Sequence, residues 1–396
     1  MVTTCTQDVT LRWDRGCGDL RVSTLQDSIS IEMLEVVVSP KGRFQVAERL
    51  LARLEYASAQ AWVKTKGLLS GAIQRQQHQR WSIVYAQIVQ DCSRLYEKTL
   101  DAYTRQGTVY PIKVVMERAN AVNYSPRMAV EVCTEQLSPN CLAAIVGPDI
   151  REIRQNYVAC DPRLLAFVSL QVRYVGQYLL HLLSPLESTF VGYYFKVVAD
   201  CFQMPLERAY DAAANYNQAA IPLAAVRQLL SVSSAIAKSI CQRFQQTNPA
   251  YRSYNGFLSD PVVQAASIRD LEVFQMYLCV CVLETNMSAV QQELFPLCAM
   301  LYPSLQVDWS LIQQTICFLD REIQMRLDPL LFNIFRPYLQ ALWEIFSPER
   351  LNYVTNAELK TDLSPQSLLH VQTTPIRFAT RSPVYGRAAN PEAQGA

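Results

Sequence analysis

Between residues 43 and 346 the apolar residues recur at spacings of three and four, and prolines stand between the runs. That pattern limits the chain to amphipathic helices packed on one another, because a half-buried strand needs a period of two. The stretch RFQVAERLLARLEYASAQAWVKTKGLLSGAIQ places Val46, Leu50, Leu51, Leu54, Ala57 and Ala61 on one helical face. A second helix is expected from Ser82 to Arg105. Pro111 and Pro126 punctuate the next stretch, and Pro139, Gly147 and Pro148 read as a loop. Asp161-Pro162 reads as a helix start, with Asp161 as cap and Pro162 in the first turn. The run behind it, RLLAFVSLQVRYVGQYLLHLL, ends near Ser184-Pro185. Further helices are expected at 187–203, 206–219, 223–246, 262–284, 288–301, 309–326 and 329–346. Pro205, Pro222, Pro249, Pro261, Pro303 and Pro329 separate them. The body reads as all-α.

Both ends differ. Residues 1–42 read as irregular, with Val9-Leu11-Trp13 and Ile29-Ile31 as short extended pieces. Residues 347–396 hold Pro348, Pro365, Pro375, Pro383 and Pro391 among Ser, Thr, Asn and Gln. So few apolar residues do not offset the entropy of ordering, and a flexible tail is expected. Within it Arg377, Arg381 and Arg387 alternate with Phe378 and Tyr385. This is either a solvated segment or a motif that orders on a partner.

Several function classes fall away. With 36 basic and 35 acidic residues the net charge is +1, which gives no field for nucleic acid. No apolar run reaches the roughly 18–20 residues of a bilayer span, and Met1 to Thr10 is too polar for a secretory signal. The 12 cysteines form no CxxC, and His78, His181 and His370 lie far apart, so structural zinc is not expected. Cys279 and Cys281 sit in the apolar run MYLCVCVLE and read as buried, reduced thiols. No GxGxxG, GxxxxGK[ST], HExxH or GxSxG is present, and no nucleophile with its base can be assembled, so no enzyme activity is expected. His181 reads as a lone core histidine, and Tyr193-Tyr194 as core aromatics at helical spacing.

One stretch is more specific. Gln264-Ala-Ala-Ser-Ile-Arg-Asp-Leu271, continuing as EVFQMYLCVCVLETNMSAVQQELF, resembles the bilin-attachment helix of phycocyanin and allophycocyanin subunits. Those proteins carry Ala-Cys-x-Arg-Asp-Leu, a tyrosine a turn or two on, an apolar run and an Asp-x-Ser turn. Arg269, Asp270, Leu271, Tyr277, Val282, Leu283 and Ser288 fall in step with that pattern, and Asn286 stands where the turn acid is usual. The preceding RQLLSVSSAIAKSICQRFQQTNP is similar to the family's small-residue helix. The resemblance covers about 190–346. It implies a globin-like phycobiliprotein bundle at 186–346, preceded by a helical module at 43–185 that has a weaker echo of the same pattern.

The resemblance implies a tetrapyrrole site in which Asp270 holds ring nitrogens and Arg269 a propionate, through charge-assisted bonds, with Ser267 and Tyr277 beside them. The bland alternative is that Arg269 and Asp270 cap or pair at the start of their helix. Ser267 occupies the position of the family's thioether cysteine. A serine hydroxyl forms no thioether, so the expected cofactor is none or a non-covalently bound bilin. The implied role is a non-enzymatic phycobilisome protein, a structural or accessory part of the cyanobacterial light-harvesting antenna. Its expected partners are phycobiliproteins or linker proteins, in a homo- or hetero-oligomer, in the cytoplasm or peripheral at the photosynthetic membrane. The alternative is a globin-like sensor or regulatory adaptor, or a factor that handles bilins in antenna assembly or turnover.

Overall fold

The computed structural model describes residues 21–22, 36–70, 81–105, 113–116, 128–131 and 139–348. The extended pieces around Trp13 and Ile31, His78, His370 and the Arg377–Arg387 stretch lie outside them. The described body is all-α, as the periodicity predicts.

Helix α1 (Pro40–Leu51) begins three residues before the expected start. The Ser39 hydroxyl accepts from Gly42 N at 3.0 Å, and Pro40 presets the first turn. The single helix read from Arg43 is two, because the chain breaks at Ala52-Arg53 before α2 (Leu54–Leu68). The break lets α1 lie on α3 (Trp81–Thr104) while α2 lies along α5 (Leu164–Leu180).

The largest correction concerns residues 139–160. The Pro139, Gly147 and Pro148 signals read as a loop, yet α4 (Pro139–Cys160) runs straight through Pro148. Burial explains it: Leu142, Val146, Ile150, Ile153 and Tyr157 form one covered stripe at helical spacing. That stripe outweighs the local cost of one interior proline.

Asp161 does not cap α5 in the expected way. Its carboxylate accepts from the Arg163 N–H at 3.0 Å and from the Arg163 guanidinium, and the helix starts at Leu164. Because α5 ends at Leu180, His181 falls on its exposed C-cap, so the core reading of His181 is wrong. Helix α6 (Pro185–Gln203) opens on a capping box, in which Ser184 Oγ accepts from Glu187 N and Glu187 accepts from Ser184 N at 3.0 Å.

The remaining helical segments are α7 (Leu206–Ala214), α8 (Ile221–Thr247), α9 (Pro261–Glu284), a π-helical turn at Val290–Leu294, then α10 (Phe295–Ser304), α11 (Trp309–Arg326) and α12 (Pro329–Ile345). Helix α8 lies on α9, and α11 packs on both α8 and α12. The earlier helices meet this group where α4 touches α7 and α5 touches α10. One continuous buried cluster runs from Val38 to Phe346. Tyr194 is in it, edge-on to Tyr103 at 5.2 Å, which supports the core reading of Tyr193-Tyr194.

The strands are small. β1 (Arg21–Val22), β2 (Lys113–Met116) and β3 (Met128–Glu131) pair antiparallel in the order β1-β3-β2, with Val114 opposite Val130. β4 (Arg252–Ser253) and β5 (Gly256–Phe257) form a hairpin between α8 and α9, where Gly256 takes φ 128°.

Gly176 on α5 permits a close helix approach. Tyr96 of α3 is buried against it and donates to Val172 O at 2.5 Å, and a Cβ at position 176 would meet the Tyr96 hydroxyl at 2.6 Å. Gly176→Ala is therefore expected to destabilise the fold by about 1–3 kcal/mol despite alanine's better helix propensity. Urea unfolding followed by far-UV circular dichroism checks this, and an unchanged midpoint contradicts it.

Candidate functional site

Two charge clusters meet at α9, and they differ in kind. The first is closed. Arg154 on α4, Tyr277 on α9 and Glu293 on the π-helical turn are 7%, 1% and 6% exposed. The Arg154 guanidinium donates to Tyr277 Oη at 2.6 Å, to the Phe202 carbonyl and to the Glu293 carboxylate. Tyr277 Oη donates in turn to Glu293 at 3.2 Å. Arg208 on α7 reaches the other Glu293 oxygen, and its Nη2 donates to Glu284 at 2.7 Å and to Ser288 Oγ at 2.7 Å.

Burial opposes the charge on Glu293, but the guanidiniums of Arg154 and Arg208 overcome it and hold the carboxyl below its ordinary range. Burial likewise opposes the charge on Arg154, yet Tyr277 and Glu293 keep it firmly protonated. Burial pushes the Tyr277 phenol up. The network is saturated, which is the condition under which buried ions are tolerated. Asn286 completes the turn beside it: its side-chain oxygen accepts from Ser288 N at 2.8 Å, as an aspartate there would.

The second cluster is open. Helix α9 starts at Pro261 after Asp260, so Arg269 and Asp270 lie in its third turn. The reading of these two as first-turn caps is therefore wrong. Ser267, Arg269 and Asp270 are all half-buried. Ser267 and Asp270 share a face, three residues apart. Arg173, on α5, lies near enough that the charges of Arg269 and Asp270 act on it, and both arginines act on Asp270. Among the described residues no carboxylate comes within 4.0 Å of Arg173 or Arg269, and Asp270 has no cation within that distance. The Arg269 Nε is buried with no hydrogen-bond partner.

Burial raises the Asp270 carboxyl above its ordinary value, and the two arginines only partly offset it. Asp270 also lies close to α10. Burial, with a smaller contribution from Asp270, raises the Cys298 thiol and the Tyr302 phenol.

Residues 207–344 match the family described as phycobilisome protein. The second half of this chain carries this phycobilisome protein match over residues 207–344. The family is globin-like and all-α, and helices α7 to α12 supply that bundle here. No curated protein and no solved structure matches the chain. Ser267, Arg269, Asp270, Tyr277, Arg208 and Glu293 lie inside the phycobilisome domain, whereas Arg154 and Arg173 precede it.

The structure thus divides the residues that the sequence grouped. Ser267, Arg269 and Asp270 stay together, but Tyr277 belongs to the closed network with Arg154 and Glu293. The donor set of the open cluster fits a tetrapyrrole: an unpaired carboxylate suits pyrrole N–H groups, and an orphaned guanidinium nitrogen suits a propionate. Ser267 provides no thiolate for a thioether. Cys279 is fully buried, and Cys281, on the same apolar run, is pushed up to about 12 by burial, so neither is a reactive thiol.

Sequence reasoning missed Arg173 and Arg154. Each leaves a trace, however. Arg173 is the one charged residue in LLAFVSLQVRYVGQYLL. Arg154 interrupts the buried face of α4 between Ile153 and Tyr157.

Two predictions separate the clusters. Arg154→Ala strands the buried Glu293 with one guanidinium fewer and is expected to cost about 3–5 kcal/mol. Arg94→Ala, at an exposed ion pair with Asp149 and Glu152, should cost at most about 1 kcal/mol. Equilibrium urea unfolding at neutral pH compares them, and equal losses would contradict the closed-network account.

The two carboxyls should respond oppositely to pH. Glu293 is held below its ordinary value, so its stabilisation is present above about pH 4.3 and is lost as pH falls through its folded value. Asp270 is raised, so its charged form opposes folding at neutral pH and that opposition fades as pH falls toward about 4. Asp270→Asn is expected to raise the melting temperature at pH 7, with the gain closing in acid. Melting curves of variant and wild type across pH 4 to 8 check this, and a gain that persists in acid refutes it.

Proposed function

We propose that this protein is a non-enzymatic accessory or structural component of the phycobilisome, and that its tetrapyrrole face holds a bilin by charge and hydrogen bonding. The observation that carries this reading is the open cluster of Ser267, Arg269 and Asp270 on the third turn of α9, in register with the family's attachment helix. The carboxylate and guanidinium that the chemistry needs are present, and the thiol is replaced by a hydroxyl.

The chain's own residues would act as follows. Asp270 accepts from pyrrole N–H groups, and Arg269 neutralises a propionate. A bilin so held contributes visible absorption. The phycobilisome domain also supports association with phycobiliproteins or linkers through its helical faces. No helix of the described residues is long and apolar enough to cross a membrane, so a place in an antenna complex rests on such protein contacts.

Co-expression with a bilin-producing pathway tests the pigment. Visible colour should appear on the native protein and separate from it in acidic urea. Colour that stays with the denatured chain would refute the non-covalent site. Pull-down against isolated antenna subunits tests the structural role: capture of phycobiliprotein or linker is expected, and failure to retain any antenna component removes the assignment.

A further inference from the structure

The phycobilisome domain supplies one guanidinium, Arg269, to its tetrapyrrole face. A linear tetrapyrrole carries two propionates, and loss of the thioether leaves its retention to non-covalent contacts alone. We propose that Arg173, contributed by α5 from outside the phycobilisome domain, is the second carboxylate-binding residue of this site. A bilin is then clamped between guanidiniums on two different helices. This rests on the non-covalent bilin site proposed above.

Four observations converge. First, Arg173 is the sole charge on an otherwise apolar helix, and it is half-buried, which disfavours its charge. Second, α5 packs on α10, and Arg173 lies within electrostatic reach of Arg269 and Asp270 on α9. Third, Arg173 makes no ion pair among the described residues, and Arg269 keeps a buried Nε without a partner. Two half-buried guanidiniums near one carboxylate leave positive charge unmatched, and a dicarboxylate ligand would match it. Fourth, α5 is fixed in place around Arg173. Gln171 donates to Ser58 O at 2.8 Å, and Lys64 of α2 stands 4.2 Å above the Tyr174 ring, so the guanidinium is presented by a rigid element.

The competing account is that Arg173 substitutes for the pigment as a built-in counter-ion of Asp270. Such a plug would close an ion pair, and no nitrogen–oxygen approach within 4.0 Å joins them.

The test is a titration of the purified full chain with biliverdin and with biliverdin dimethyl ester, read by visible absorbance. The wild type should bind biliverdin and take the ester about tenfold or more weakly, since the ester lacks both carboxylates. Arg173→Ala should weaken biliverdin about tenfold and leave ester binding unchanged, and Arg269→Ala should do the same. Arg173→Lys should recover part of the loss. Arg173→Gln serves if the alanine variant fails to show a native melting curve. An Arg173 variant that binds biliverdin as tightly as wild type overturns the clamp and leaves the bilin site standing. One that binds more tightly identifies Arg173 as a plug and overturns it too. A wild type that binds neither compound overturns the bilin site itself.

Discussion

The pairing of Arg154 with Glu293 is the interaction on which the arrangement of the two halves depends. Removing two ions from water costs several kcal/mol each, and their mutual attraction offsets that only when every remaining donor and acceptor is satisfied. Here Tyr277, the Phe202 carbonyl, Arg208, Glu284 and Ser288 meet that condition. The cation comes from α4 and the anion from the phycobilisome domain, so the two parts are joined by matched charges as well as by apolar packing. An apolar contact tolerates sliding, whereas a buried ion pair does not. Whatever α5 presents to the neighbouring face of α9 is positioned by that registration.

The contrast with the Arg173, Arg269 and Asp270 group is informative because both clusters share helix α9. One has its ions in direct contact and its carboxyl held below the ordinary range. The other keeps its ions apart, and burial lifts its carboxyl above it. A fold selected only for stability has no reason to maintain the second kind, since unpaired half-buried charge is a cost. Charged groups that are near one another yet unpaired are the arrangement that the proposed bilin contacts would use. The position of Tyr277 fits the same division, because its hydroxyl is committed to the structural network and is not free to serve the open one.

Much of this was legible from residue order. Helical period and proline punctuation located α6, α8, α9, α11 and α12 to within two residues, while the helix expected at 288–301 is the π-helical turn and α10, and Gln264 to Leu271 pointed to the family. Local signals failed where tertiary burial overrode them. Pro148 reads as a break, but the Leu142-to-Tyr157 stripe holds α4 together around it. His181 reads as core, but the helix stops one residue earlier. Grouping Tyr277 with Asp270 came from their closeness along one helix. Seven residues along a helix is two turns, however, and a partner from α4 captures the tyrosine first. Arg173 was hidden for a different reason: no pattern within a single sequence reveals that α5 approaches the α9 motif.

The π-helical turn at Val290–Leu294 has a consequence for how this architecture could be lost. A π-turn holds one more residue than a regular turn, and each residue of an α-helix advances the direction of a side chain by about 100°. Glu293 sits inside that widened turn and so owes its inward aim to an inserted backbone unit. Excising a single residue there would regularise the helix, swing the carboxylate away from both of its arginines, and uncouple the halves of the molecule while every participating side chain remained chemically intact.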